Sequence, residues 1–272
     1  MQSAAYGTFA PITIDRAIMN LTSRLPHNWA GLRLAILLRR AVTMRLNRED
    51  GLDVERWGMR MRLHPLDNGC EKNLLFTPQM FEPLELRVLR EALQVAPATF
   101  VDIGANVGLW SLFAASVAPH AKIVAIEPER GNLERLHFNL QCNPGLPIRV
   151  VEAALGSTPG ELGVVLHHAD RGGTRTVPVG AEHHGTVQCL ALLDVLRNEG
   201  VSSIDALKID VEGAEDAILG PFFREAGPSL WPRLIIIEDT RALWSTDLFG
   251  YLKKLGYNEK ARTRANVILC GT

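Results

Sequence analysis

From residue 100 onward in this 272-residue chain, apolar residues come in short blocks at 100–103, 123–126, 148–151, 206–209 and 234–237, three of them broken by a single charged residue, Asp102, Arg149 or Lys208. Each block is too short for a helix and is bounded by turn formers, the pattern of a strand buried on both faces. Between the blocks, apolar positions return every third or fourth residue, around 109–116, 132–141, 190–197 and 215–219, which predicts helices. Strands alternating with helices predict an α/β fold with a doubly wound, mostly parallel sheet. Two further runs, 257–261 and 266–270, are expected as a C-terminal antiparallel pair. Shorter runs at 162–166 and 186–189 predict small strands in an insertion after the third strand.

The first third of the chain reads differently. Residues 29–42 form a helical pattern with Asn28 as N-cap and Leu34, Leu37, Leu38 and Ala41 on its packing side. Val54, Trp57, Met59, Met61 and Leu63 partly alternate with charged residues, predicting a hairpin over 52–63. His64-Pro65 ends it, because proline cannot continue a ladder. Residues 81–93 read as a helix leading into the first strand. The expected organisation is an N-terminal helical and hairpin appendage over 1–68, followed by one domain over 69–272.

The first strand of that domain runs into Val101-Asp102-Ile103-Gly104-Ala105-Asn106-Val107-Gly108 and then into a helix. A strand feeding a helix through a glycine turn brings backbone N–H groups up to a ligand. Two acids flank the turn. Asp102 closes the strand, and Glu127, followed by Pro128, closes the next, where nucleoside-binding α/β folds place a ribose-binding acid. A dinucleotide site needs G-x-G-x-x-G, but Asn106 stands at the second glycine and Leu109 at the third. A side chain at Asn106 fills the space of a pyrophosphate, which argues against a nicotinamide oxidoreductase. Asp102 is also the wrong charge for phosphates and suits a cationic ligand, such as the sulfonium and ammonium of S-adenosylmethionine.

A second signature is Leu207-Lys208-Ile209-Asp210-Val211-Glu212-Gly213-Ala214-Glu215. Strand side chains alternate, so Lys208 and Asp210 share a face. A lysine inside an apolar run must be paired or reach an opening, and Asp210 or Glu215 is the expected partner. Ligands of open α/β sheets lie beyond the carboxyl ends of the strands. That rule gathers Asp102, Glu127, residues 153–156, Asp210 and Glu238 on one rim.

Taken in order, the turn at 101–108, Glu127-Pro128, Ala153-Ala154-Leu155-Gly156 and the signature at 207–215 resemble the FkbM-type family of S-adenosylmethionine-dependent methyltransferases. Glu82-Pro83-Leu84-Glu85 is similar as well, and the resemblance covers residues 69–270. It implies a class I methyltransferase (Rossmann-like) fold, S-adenosylmethionine as cofactor, and methyl transfer to a hydroxyl on a small molecule, natural product, sugar or glycan. The expected donor contacts are Asp102, Gly104, Ala105, Asn106, Gly108, Glu127, Pro128, Ala154, Leu155 and Asp210. Among these, Glu127 accepts from both ribose hydroxyls. Ala154 and Leu155 border the adenine, with Glu152 either reaching towards its exocyclic amine or facing solvent. Lys208, Asp210, Glu212 and Glu238 are the catalytic candidates: a carboxylate or lysine takes the hydroxyl proton, and Glu238 lines the acceptor pocket. Trp244 and residues 156–185 are expected to help build that pocket. Asn132 and Asn139 match family positions too, although capping or exposure explains them equally.

Composition narrows the alternatives. With 29 basic and 30 acidic residues the net charge is −1, and no aromatic–basic stripe appears, so no nucleic-acid partner is expected. RNA or N-methylation is thereby the weaker reading, and a non-catalytic S-adenosylmethionine-binding protein is favoured only if the Asp210/Glu212 rim is closed. Cys70, Cys142, Cys189 and Cys270 are widely spaced, and residues 1–11 lack the basic start and apolar core of a secretory signal. Reduced thiols and a cytoplasmic location are expected. No metal site is expected: His167-His168 and His183-His184 read as loop histidines, and nothing demands a Mg²⁺ on Asp210, Glu212 and Glu238. Arg171-Gly172-Gly173-Thr174-Arg175 reads as a mobile loop beside the site that could hold an anionic acceptor group. Arg16, Arg24, Arg33, Arg39, Arg40, Arg45 and Arg48 cluster around the N-terminal helix. They give it a face for peripheral membrane contact or for a homodimer.

Overall fold

The apolar blocks become the interior strands of a seven-stranded sheet in the computed structural model, which describes residues 4–47, 51–166 and 171–271. Two helices open the chain, α1 (Thr13–Thr22) and α2 (Trp29–Thr43), before a hairpin of β1 (Leu52–Arg56) and β2 (Met59–Leu63). Helices α3 (Gly69–Phe76) and α4 (Pro83–Ala92) lead into β3 (Thr99–Ile103), α5 (Leu109–Val117), β4 (Lys122–Ile126), α6 (Arg130–Gln141) and β5 (Ile148–Val151). A small four-stranded sheet follows, made of β6 (Ala154–Leu155), β7 (Gly160–Val165), β8 (Arg175–Pro178) and β9 (Thr186–Leu190). The chain then runs through α7 (Leu192–Asn198), β10 (Ala206–Ile209), α8 (Glu215–Glu225) and β11 (Leu234–Glu238). It ends with α9 (Leu248–Lys254), β12 (Asn258–Arg262) and β13 (Asn266–Cys270).

The main sheet has the order β12-β13-β11-β10-β3-β4-β5. The five inner and right-hand strands are parallel, and β13 is antiparallel to both its neighbours. This is the doubly wound sheet with a C-terminal antiparallel pair that the alternating pattern predicts. From β3 the chain steps outward through β4 and β5, then returns on the other side as β10 and β11. The order therefore reverses between β3 and β10, and a crevice opens there. Gly104, just past β3, has φ 74°, and a Cβ on it would stand 1.9 Å from the Asp210 carbonyl oxygen. Only glycine lets these two strand ends close up at the switch point.

Alternation along the strands feeds two cores. Phe100 joins Phe113 on one face, and Val101 and Ile103 join Leu196 and Phe222 on the other. Met19, Val42, Val54, Met61 and Leu63 belong to the first of these clusters, so the N-terminal appendage packs directly onto the central sheet. Among the described residues, no helix is long and apolar enough to cross a membrane.

Several local expectations are corrected. On α2 the buried positions are Gly31, Ala35 and Val42, while Leu34 and Leu37 face outward. At Gly31 the reason is local: a Cβ there would stand 2.1 Å from the Pro26 carbonyl oxygen in the turn before the helix. The helix expected over 81–93 is α4, preceded by a 3₁₀ turn at Pro78–Met80 and by α3, whose apolar residues fall only in its last turn. Helix α8 continues past Leu219 through Pro221 to Glu225. Proline removes the hydrogen bond to Ala217, which is exposed, so water can satisfy that carbonyl. Strands β6 and β8 were not expected: β6 is two residues long, and β8, Arg175–Pro178, carries a single large apolar residue, Val177. Arg48 and His167-His168 lie outside the described residues.

Candidate active site

A cavity of about 580 Å³ opens at the switch point, within the roughly 300–1,000 Å³ range of small-molecule sites. Of the expected donor contacts, Gly104, Ala105, Asn106, Glu127, Pro128, Ala154, Leu155 and Asp210 line it. So do Lys208, Glu212 and Glu238. Asp102 and Gly108 do not. Asp102 is fully buried, pairs in register with Lys208 across β3 and β10, and accepts a 2.7 Å hydrogen bond from the Ser111 hydroxyl. It faces α5 and does not line the cavity. Burial raises its pKa, opposed by Lys208 and Ser111.

At one end of the cavity stands Glu127. Its Oε2 accepts from the Asn106 backbone N–H at 2.8 Å, and its Oε1 accepts from the Glu129 N–H at 2.9 Å and the Asn132 amide at 3.3 Å. Burial pushes Glu127 up to about 7 even though these bonds favour the carboxylate. Asn106 reaches its position with φ 53°, and its side chain accepts from the Asn68 amide at 3.0 Å. That side chain is therefore fastened to the start of α3 instead of standing where a pyrophosphate would lie. Asn132 is buried, and its Oδ1 has no partner. A carboxylate with lone pairs to spare, an orphaned amide oxygen beside it and the buried wall of Ala153, Ala154 and Leu155 fit an adenosyl group.

Neighbouring expectations fare differently. Asn139 is neither a cap nor exposed: it accepts from the Arg62 N–H and donates to the Val107 carbonyl, joining the hairpin to the glycine turn. Glu152 takes the solvent-facing of its two expected places: it is exposed, paired with His137 at 2.8 Å, and does not line the cavity. Arg171 is held by Asp67 and Glu129, both at 3.3 Å, in a 3₁₀ turn, while Thr174 and Arg175 reach the cavity wall.

At the other end, Lys208 lies almost fully buried, 3.1 Å from Asp210 and 3.3 Å from the Gly104 carbonyl oxygen. Burial works against its charge, but Asp210, Asp102 and Glu82 outweigh it and hold its pKa above the ordinary lysine value. Lys208 is thus a fixed cation and no proton acceptor, which corrects its place among the candidate bases. Glu215 is not its partner. That carboxylate accepts from the Val211 and Gly213 N–H groups, Thr240 and Trp244. Trp244 is thereby turned from the cavity, contrary to expectation. Replacing Lys208 with methionine strands three carboxylates around one apolar group. We expect Lys208→Met to cost about 3–5 kcal/mol in urea unfolding; a loss below 1 kcal/mol would show that the cation is not what holds them together.

Asp210, Glu212 and Glu238 bring carboxylate oxygens within 4.8 Å of one another. Burial and the charges of Asp210, Glu212 and Glu215 push Glu238 up to about 9. At neutral pH it is a carboxylic acid beside the Asp210 carboxylate. One further acid was missed as a site residue. Glu82 lines the cavity, accepts from Trp110 at 2.9 Å and Asn266 at 3.3 Å, and is pushed by burial up to about 7. It has φ 44°, and Glu212 has φ 58°. With Asn106, they are three of the four non-glycine residues of positive φ among the described residues, and all three border the cavity. Such strain concentrates at functional sites.

Comparison with known proteins accords with this geometry. A model of the methyltransferase FkbM domain matches residues 102–258. The methyltransferase sdnD of Sordaria araneosa is 32% identical over 150 residues, 44% of this chain and 58% of that protein. The AMB antimetabolite synthetase AmbE of Pseudomonas aeruginosa is 46% identical over 52 residues, 19% of this chain and 2% of that protein. The chain thus spans less than two thirds of either relative. A solved METTL16 methyltransferase domain shares the fold with a TM-score of 0.50 and 16% identity, covering 94% of this chain and 89% of that one. The glycine turn, Glu127 and the acid-rich strand ends all fall within or at the edge of the matched region, and the chain belongs to the FkbM family of S-adenosylmethionine-dependent methyltransferases.

Proposed function

We propose that the protein methylates a hydroxyl oxygen on a small molecule or glycan, in the reducing cytoplasm. The observation that carries this reading is the pair at the acceptor end: Asp210, anchored by Lys208, next to a Glu238 that keeps its proton. Bound S-adenosylmethionine supplies a methyl group on a sulfonium, a strong electrophile. What the chain must add is alignment and a place for the hydroxyl proton. An alcohol oxygen set between the two carboxyl groups accepts a hydrogen bond from protonated Glu238 and donates its own proton to Asp210. An amine acceptor must only arrive neutral and needs no such base. The cavity size supports a small acceptor, and the four cysteines, none of which is in a disulfide, support a reducing compartment.

The reading is tested with tritiated methyl donor against hydroxylated lactones and sugars, their amino analogues, and RNA. Label recovered as an ether on the hydroxyl compounds is expected. Label on amines or RNA, with none on any alcohol, overturns it.

A further inference from the structure

Eight of the eleven large hydrophobic side chains exposed among the described residues lie between Ile12 and Met44, on the α1–α2 pair. The pair is firmly seated. Met19, Thr22, Gly31, Ala35 and Val42 are buried inward, and the Gln79 amide donates to the carbonyls of Thr22 and Leu25 at 2.9 and 3.1 Å. The opposite face is left uncovered by a rigid structure, not by a frayed one.

On α2 that outward face is one stripe. Trp29, Leu37 and Met44 are 69%, 64% and 84% exposed, and Arg33 and Arg40 fall between them at helical spacing. From Trp29 to Met44 the stripe runs about 22 Å. Arg33 lies over the Trp29 ring, 4.4 Å from its centroid. On α1, Ile14 and Leu21 extend the apolar area.

The charge is as lopsided as the exposure. Residues 4–47 hold six arginines and a single acid, in a chain whose net charge is −1. That acid, Asp15, is buried and ion-paired with Arg45. Among the described residues of this segment, the face therefore offers apolar side chains interleaved with cations and no exposed carboxylate.

We infer that the outer face of α1 and α2 docks on an anionic lipid surface. Trp29, Leu37 and Met44 enter the boundary between headgroups and acyl chains, while Arg33 and Arg40 meet lipid phosphates. A second copy of the chain is a poor occupant, because joining two such faces sets arginines against arginines with no exposed acid to answer them. A nucleic acid would use the arginines but leave the leucines and methionine unaccounted for. Because α1 packs on α3, whose Gly69, Cys70 and Asn73 line the cavity, the docking helices back onto an element of the active-site wall.

The test is co-sedimentation of the full chain with vesicles of phosphatidylcholine alone or enriched in phosphatidylglycerol. S-adenosylmethionine binding by calorimetry serves as the check on folding, so methyl transfer is not needed as a readout. The protein is expected to sediment with the anionic vesicles only, and less as salt is raised. Leu37→Glu, and separately the pair Arg33→Glu/Arg40→Glu, are expected to weaken vesicle binding by about tenfold or more, with donor binding intact. Failure to sediment with anionic vesicles overturns the inference, as does equal binding to neutral ones. A concentration-dependent dimer in sedimentation velocity that Leu37→Glu abolishes, without vesicle binding, also overturns it by assigning the face to a second copy.

Discussion

Glu127→Gln is expected to weaken S-adenosylmethionine binding by about 100-fold, and to remove its pH dependence. Both oxygens of the native carboxylate already accept backbone N–H groups, from Asn106 and Glu129. A glutamine can present only one oxygen, so its amide nitrogen must confront one of those donors. The ribose hydroxyls then lose charge-assisted hydrogen bonds worth about 1.5–3 kcal/mol each.

The pH dependence has a defined sign. Burial pushes Glu127 from 4.5 up to about 7, so near neutrality the empty protein is a mixture of acid and carboxylate. Ribose hydroxyls favour the carboxylate, which accepts without competing as a donor. Donor affinity should therefore rise as pH increases through 7, by about tenfold between pH 6 and pH 8, and level off above. Stability of the ligand-free protein runs the other way. The folded pKa lies above the unfolded one, so this contribution is complete below about 4.5 and is lost as pH rises through 7. Glu71 and Glu82, pushed up to the same region by burial, add to the same trend. The thermal shift produced by S-adenosylmethionine should grow with pH across this window. A flat titration in the native protein, or an unchanged slope in Glu127→Gln, would remove Glu127 from the ribose site.

Glu127, Asp210 and Glu238 could be placed on one rim from the sequence because each ends or follows an apolar block. A parallel strand buried on both faces leaves a continuous signal, and fold topology puts all such ends on one side. Asp102 ends a block too, but alternation alone does not say whether a residue at a strand end faces the ligand or the helix layer. The packed structure decides it: Ser111 of α5 takes the Asp102 carboxylate, whereas Lys208, its register partner on β10, lines the cavity. The same register explains how a lysine survives in an apolar run. Glu82 and Asn266 meet in the cavity across 184 positions of sequence, a separation no local pattern carries. Helix α3 was missed because its only apolar residues, Leu74, Leu75 and Phe76, are consecutive and show no helical period. On α2 the large residues looked like the packing side, whereas the helix buries Gly31, which sits against the Pro26 carbonyl, and Ala35, and leaves Leu37 outside.

The second large effect belongs to Asp210. Asp210→Asn is expected to lower turnover by about 10³-fold while changing donor affinity little, since general-base assistance is worth about 10²–10⁴. Asparagine keeps the shape and the contact with Lys208 but cannot take a proton. Its effect on Glu238 separates this role from a structural one. After burial itself, the Asp210 charge is the largest influence holding Glu238 up at about 9. Removing that charge lets Glu238 ionise at lower pH, and the freed carboxylate faces the same acceptor oxygen. The residual activity of Asp210→Asn should therefore rise with pH and reach its plateau below 9, following Glu238 as the substitute base. The double variant Asp210→Asn/Glu238→Gln should lose that rise. Glu238→Gln alone should cost less than Asp210→Asn, because the amide can still donate a hydrogen bond to the acceptor. If Asp210→Asn instead reduced donor binding and left turnover of the saturated enzyme intact, Asp210 would be a donor contact only. If Glu212→Gln were the severe variant and Asp210→Asn mild, the proton would go to the loop carboxylate. Steady-state kinetics across pH, with donor affinity measured separately by calorimetry, tells these outcomes apart.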